Sequence, residues 1–270
     1  MAVRIKTEEE VRLMREAGRI LALVHEHLAS EIRPGMSTWE IDRIGEECIR
    51  SYGCTPSFLG LYDYPASICV SVNEEVVHGI PSKKRFIKEG DIVSLDAGVI
   101  YKGYHSDAAR TVPVGKISKE AQGLIDRTRQ SFFEGMKCAT GSNCLYDISR
   151  AVAKYAESYG YGVVRDLTGH GVGSALHEDP VVPNFRKVRR GMKLMPGMTI
   201  AVEPMINMGT YKVQWLDDGW TVVTRDGSLS AHYENTILIT EGIPEILSLT
   251  KTEAKEFGSS EFFTSQAFED

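Results

Sequence analysis

Apolar positions recur at helical spacing through the opening segment of this chain. Leu13, Ala17, Ile20, Leu21, Val24 and Leu28 fall on one face of a helix. Thr7 followed by Glu10 has the form of a capping box, and Arg33-Pro34-Gly35 supplies a stop, so the spacing predicts a helix between them. Ser37 and Glu40 repeat the start signal, with Ile41, Ile44, Cys48 and Ile49 lining the next stripe. Strand-like sequence follows over 67–72 and 91–100. Two more helices are predicted over 119–136 and 143–159, then strands over 163–167, 198–202 and 232–240.

This pattern runs helix, helix, strand, strand twice, and the residues repeat with it. Gly90-Asp91-Ile92-Val93-Ser94-Leu95-Asp96 has a counterpart 107 positions later in Gly197-Met198-Thr199-Ile200-Ala201-Val202-Glu203. At the same offset Ile41, Arg43, Ser51, Tyr52 and Gly53 return as Ile148, Arg150, Ser158, Tyr159 and Gly160. Separate stretches that hold one register without a gap point to a duplicated unit. A mixed fold, α/β or α+β, is therefore expected. Residues 1–249 would form one domain built from pseudo-repeats over about 30–110 and 137–240. Facing halves would set Asp96 and Glu203 across a single cleft. From 250 to 270 the chain turns polar and reads as a loosely packed tail, in which Phe262, Phe263 and Phe268 could dock.

Composition narrows the function classes. At 270 residues, 42% hydrophobic and 25% charged, the chain has the profile of a soluble globular protein with a substantial core. A formal net charge of −6 disfavours a broad nucleic-acid footprint. The short basic clusters at 83–85 and 186–193 read as solvated surface. No apolar run approaches the roughly 20 residues that span a bilayer, and the first residues lack a signal-peptide core. Five cysteines, an odd number without a Cys-x-x-Cys pair, fit a reducing cytoplasm and suggest neither disulfides nor a zinc-thiolate knot.

Candidate chemistry gathers on acids in and beside strands. Alternation over 91–100 puts Ile92, Ser94, Asp96 and Gly98 on one face, with Val93, Leu95, Ala97 and Val99 on the other. Asp96 and Asp107 lie almost symmetrically about a turn at Lys102-Gly103, so an antiparallel hairpin would bring them opposite or nearly opposite. Unpaired carboxylates so placed repel, and a bound cation removes the penalty; an edge hairpin with its acids in water is the alternative left open by spacing. Glu203 precedes Pro204, where a central strand cannot simply continue, and Glu234 stands beside an apolar run. His170 lies in Gly169-His170-Gly171-Val172-Gly173, where glycines allow unusual backbone angles and close approach to a ligand. His78 and His177 sit near prolines and are either structural or functional, whereas His25, His27, His105 and His232 read as structural or surface residues. The chain has neither a Gly-x-Ser-x-Gly elbow nor a His-Glu-x-x-His pair, and no cysteine is evidently activated. Metal-activated water is the mechanism that survives.

Taken in order, these residues resemble the methionine aminopeptidases, in their type I prokaryotic form, within the pita-bread metallopeptidase family. The resemblance runs from about Thr7 to Gly242. It includes Asn73-Glu74-Glu75-Val76-Val77-His78-Gly79-Ile80-Pro81, the His170 segment, His177-Glu178-Asp179-Pro180 and Glu203-Pro204. It implies a curved antiparallel sheet covered by helices with a pseudo-twofold axis. It also implies two divalent cations (Co, Mn, Fe or Zn) held by Asp96, Asp107, His170, Glu203 and Glu234. By the same resemblance Asp96 holds one cation bidentately, Asp107 and Glu234 bridge both, and His170 and Glu203 complete the other shell. A bridging water or hydroxide would attack the first peptide bond, with Glu203 carrying the proton. His177 would stabilise the carbonyl oxygen and His78 would contact the substrate backbone or leaving amide. Tyr64, Cys69 and Trp220, with Phe58 close by, would line the methionine pocket.

Leu61 and Leu176 depart from the family, where aromatics are common, and alter the pocket's shape. A small second residue is expected in the substrate, and this chain's own Met1-Ala2 would qualify. Expected partners are N-terminal Met peptides and nascent chains with transient ribosome contact, without specific nucleic acid or membrane, and a monomer is expected. Prolidases share the ligand pattern but usually carry a large preceding domain, whereas only 95 residues precede Asp96. A pita-bread binding protein without catalysis is a second alternative, and the complete ligand set argues against it.

Overall fold

A computed structural model describes residues 3–257 and 260–265. The first half runs α1 (Glu8–Glu31), α2 (Thr38–Ser51), β1 (Thr55–Pro56), β2 (Ile68–Val72), β3 (Glu75–Val77), β4 (Ile92–Tyr101) and β5 (Tyr104–Pro113). The second continues with α3 (Lys119–Met136), α4 (Leu145–Ser158), β6 (Gly162–Val163), β7 (Gly169–Gly171), β8 (Glu178–Val182), β9 (Thr199–Val202) and β10 (Met205–Asn207). It closes with β11 (Val213–Trp215), β12 (Val222–Thr224), β13 (Ser230–His232), β14 (Glu234–Leu238), β15 (Glu245–Ile246) and α5 (Lys251–Phe257). Both capping boxes read from the sequence form: Thr7 with Glu10 opens α1, and Ser37 with Glu40 opens α2. Among the described residues no helix is long and apolar enough to cross a membrane.

The large antiparallel sheet has the order β1-β4-β5-β14-β9-β7-β8, with β2 added beside β4 and β15 beside β14. Helices cover it in two blocks. Leu21, Val24 and Leu28 of α1 and Ile41 and Ile49 of α2 pack with Val93, Leu95, Ala97 and Val99 of β4. Phe132 and Met136 of α3 and Ile148 and Val152 of α4 pack with Ile200 and Val202 of β9 and Ile237 of β14. Burial of such side chains contributes about 1.5–3 kcal/mol each. One face of each strand is committed to helix, so by the two-residue period Ser94, Asp96 and Gly98 occupy the other.

Tyr101 pairs with Tyr104 across the two-residue turn at Lys102 and Gly103, both with positive φ as a type I′ hairpin turn needs. Its register pairs Asp96 with Ala109 and Asp107 with Gly98, so the two acids are diagonal neighbours on one face.

Several expectations need correction. A strand expected over 163–167 shrinks to Gly162–Val163. The single strand expected over 232–240 is two, broken at Tyr233: β13 pairs with β10 in a small sheet, while β14 pairs with β5, β9 and β15 in the large one. Its neighbour breaks at the same level, β9 ending at Val202 and β10 starting at Met205, and Tyr233 N–H donates to Pro204 O across the two breaks. Proline cannot donate to a ladder, so the paired strands turn together from one sheet into another. Nor is the tail loose throughout. Glu253 on α5 is buried, Phe257 stacks on Phe133, and Phe263 is buried beside the second helix block. Phe262 is exposed, and Phe268 lies outside the described residues.

Candidate metal centre

The strand break carries Glu203 and Glu234 to the same spot. Asn235 pairs with Val202, and one further step in that register sets Glu234 beside Glu203. Asp96 and Asp107 arrive from the neighbouring hairpin, since Glu234 and Asp96 both pair with Ala109. His170 comes from β7, with Nε2 at 3.6 Å from Asp107 Oδ2 and 3.7 Å from Glu203 Oε1.

Its flanking glycines have a different basis from the one expected. Neither Gly169 nor Gly171 has a positive φ. A Cβ on Gly169 would lie 2.3 Å from Ala201 O, and one on Gly171 2.2 Å from Asp179 O. Close approach of neighbouring backbones, not an unusual angle, requires glycine there.

The seam between β5 and β14 has only two paired positions, and hydroxyls complete it on either side. Thr236 Oγ1 accepts from Asp107 N–H and donates to Asp107 O. Thr111 Oγ1 does the same for the backbone of His232. On the opposite face of β5, Arg110 donates to the Glu234 carbonyl and is paired with Glu253 of α5 at 2.7 Å. Tyr233 also donates to Glu253. The acid-bearing strands are thus fixed from behind by a buried polar network.

Four carboxyls in one buried place shift one another strongly. Burial, then Asp107, pushes Asp96 well above the usual carboxylate range. Burial raises Asp107 to about 7 despite a backbone hydrogen bond that favours its charged form. Glu203 and Glu234 are raised by burial and then by Asp107 and the other acids. Burial lowers His170 to about 4, leaving a neutral imidazole. Its Nδ1–H donates to Gly171 O, which leaves the Nε2 lone pair directed at the acids.

Asp96 Oδ1, Asp107 Oδ1 and Glu234 Oε1 are buried without a hydrogen-bond partner. Such orphaned acceptors are costly unless a cation meets them. Two groups of ligand atoms each fit within 4.8 Å: Asp107, His170 and Glu234, and Asp96, His232 and Glu234. Sharing Glu234, they form a dinuclear metal-binding site.

A cavity of about 520 Å³ opens on these acids. Its wall includes every site residue singled out in the sequence: the four acids and His170, with His78, His177, Phe58, Tyr64, Cys69 and Trp220. Cys69 pairs with Asp96 across β2 and β4, so the apolar part begins directly beside the carboxylates. Phe58, Tyr64, Cys69 and Leu176 form one buried apolar cluster, with Leu61 and Trp220 packed against it. Tyr64 and Trp220 meet edge to face at 5.0 Å, and the Tyr64 hydroxyl donates to Gly79 O.

His177 lies edge-on to His170 at 4.4 Å and is stacked by Tyr62 at 5.9 Å. His78 and Tyr62 both adopt positive φ, 58° and 50°, strained for residues with a Cβ and clustered on this cavity. Burial lowers His78 and His177 to about 4 each. His232 and Tyr62 had not stood out in the sequence. His232 stands two positions from Glu234, and that even spacing was the available signal.

Comparisons with known proteins identify what the chain is similar to. The model of metallopeptidase family M24 matches residues 12–241. Over 247 residues the chain is 56% identical to the methionine aminopeptidase of Clostridium perfringens, covering 92% of this chain and 99% of that protein. It is 49% identical to methionine aminopeptidase 1 of Bacillus subtilis over 243 residues, 90% of this chain and 98% of the other. The crystal structure of methionine aminopeptidase from Thermotoga maritima superposes with a TM-score of 0.90 at 42% identity, covering 92% of this chain and all (100%) of that one.

Proposed function

This chain belongs to metallopeptidase family M24, and we propose that it releases N-terminal methionine from peptides and nascent proteins whose second residue is small. The observation that carries this reading is a dinuclear site of buried acids adjoining a largely apolar pocket in one cavity. With Cys69 paired to Asp96, little more than one side chain separates the pocket from the acids, so the scissile bond is the first in the chain. Internal duplication of one catalytic unit is supported by α2 and α4, which are both 14 residues long and begin 107 positions apart. The pairs β1 and β6, and β4 and β9, share that offset.

Asp96, Asp107, His170, Glu203 and Glu234 are the proposed metal ligands. An oxygen-rich set with imidazole suits Mn²⁺, Fe²⁺, Co²⁺ or Zn²⁺. Bound divalent cations supply Lewis-acid polarisation of the carbonyl and acidify water. Glu203, raised by burial and its acidic neighbours, takes a proton during attack and returns it to the departing amine. His177, beside His170 and steadied by Tyr62, donates to the carbonyl oxygen as negative charge develops. His78, edge-on to Trp220, contacts the peptide on the leaving side. Phe58, Tyr64, Cys69 and Trp220 enclose the methionine side chain, and Leu61 and Leu176 complete the lining.

Chelation should abolish release of methionine from a Met-Ala peptide, and a returned divalent cation should restore it. Glu203→Gln should lower kcat by about 10²–10⁴, the scale of general acid–base catalysis. Near-normal turnover in that variant would remove Glu203 from the proton path, and activity unaffected by thorough chelation would overturn the metal reading.

A further inference from the structure

We propose that His232 is a sixth ligand of this centre, giving the cation on the Asp96 side an imidazole of its own. The proposal rests on the dinuclear reading and extends it. Two triads share Glu234: one takes Asp107 and His170, the other Asp96 and His232. Each therefore holds one carboxylate of the β4–β5 hairpin, one imidazole and the shared acid.

The state of the His232 ring points the same way. The residue is 1% exposed, and neither ring nitrogen has a hydrogen-bond partner. A neutral imidazole has one donor and one acceptor, and leaving either buried and unmet is costly. Nε2 lies 3.7 Å from Glu234 Oε2 and 3.9 Å from Glu203 Oε2, too far for hydrogen bonds. Atoms that each bond one ion at about 2.0–2.2 Å stand roughly 3–4 Å apart, so a single ion can span these separations. Asp96 Oδ1 and Glu234 Oε1 are buried and unmet in the same place.

The ring is held in position through its backbone. Thr111 Oγ1 accepts from His232 N–H at 2.8 Å and donates to His232 O at 2.9 Å. Ser94 Oγ stands 2.8 Å from the same Thr111 hydroxyl. Ser94 and Thr111 thereby tie β13 to the hairpin that carries Asp96, so the imidazole is placed before any cation arrives. With nitrogen on both sides the two positions match in donor type, favouring Co²⁺ or Zn²⁺ over Mn²⁺.

The test is Co²⁺ alone, titrated calorimetrically into metal-stripped full-length protein, with proton NMR of ¹⁵N-histidine-labelled samples. Each Co²⁺-bound imidazole gives a hyperfine-shifted, exchangeable N–H resonance. Wild type should show two, from His170 and His232, and His232→Gln should keep only one. The variant should also bind one of its two Co²⁺ ions at least tenfold more weakly, while His170→Gln keeps the resonance of His232. Wild-type protein that binds two Co²⁺ with a single shifted imidazole would overturn the role of His232 and leave the dinuclear reading standing. Binding of no Co²⁺ at all would overturn both. Because the resonance count is made on wild type, it does not depend on the variants folding.

Discussion

Burial pushes the Asp107 carboxyl up to about 7, so near neutral pH a proton and a cation compete for it. Asp96, Glu203 and Glu234 are raised by the same burial and crowding. Burial favours the neutral form of each in the metal-free protein, and as a proposed ligand each would give up its proton to a cation. Metal affinity should therefore fall as pH drops below about 7, by up to tenfold per unit for each proton displaced. Calorimetry of Co²⁺ binding in buffers of different ionisation enthalpy should register proton release, and an affinity flat from pH 8 to about 6 would contradict this picture. These residues were largely legible in the sequence, because acids inside strand patterns and a histidine between glycines conflict with ordinary surface or core use. His232 was not. Its meaning depends on where β13 and β14 part, and a run of strand-like residues does not reveal that its two ends enter different sheets.

The elements that carry the acids are held by a buried ion pair on their far side. Arg110 joins β5, the Glu234 carbonyl and Glu253 of α5, and its guanidinium lies 4.4 Å over the Tyr233 ring. Burial alone would raise the Glu253 carboxyl. Arg110, Thr250 and Tyr233 outweigh it and hold the group below its ordinary 4.5. A depressed carboxyl contributes stability that is present above the ordinary value and lost as pH falls through the folded one. Glu253→Gln should cost about 3 kcal/mol near neutrality by leaving Arg110 buried and underpaired. Denaturant melts of both proteins should converge as the pH is taken below about 4.5, and a gap independent of pH would remove the pair from the stability of these strands. Long periodic elements such as α1, α3 and the β4–β5 hairpin were readable because their burial is regular. The docking of α5 was not, since one glutamate in a polar segment gives no sign of an arginine far away in the chain. Three-residue strands such as β10 to β13 are too short to display a period.

Across the whole molecule, two helix-covered halves share one sheet, and the bend in β9–β10 and β13–β14 lifts two acids to meet two more from the hairpin. The fixed offset of 107 made the paired halves legible, with Asp96 and Glu203 as counterparts. Asp107, His170 and Glu234 have no such counterparts, and together they form one of the two candidate ligand groups. Pocket shape follows from side chains that meet only in the fold, among them Leu61 and Leu176 beside Trp220. The apolar end is bounded by Phe58, Tyr64 and Cys69 and starts beside Asp96, so methionine should enter with its amine and first carbonyl at the acids. The most direct measurement is competition in one sample: metal-loaded protein mixed with equal amounts of a Met-Ala peptide and an Ala-Pro peptide, followed by mass spectrometry. Loss of methionine from the first with the second left intact is the expected result. Cleavage of the Ala-Pro peptide while the Met-Ala peptide survives would contradict the account.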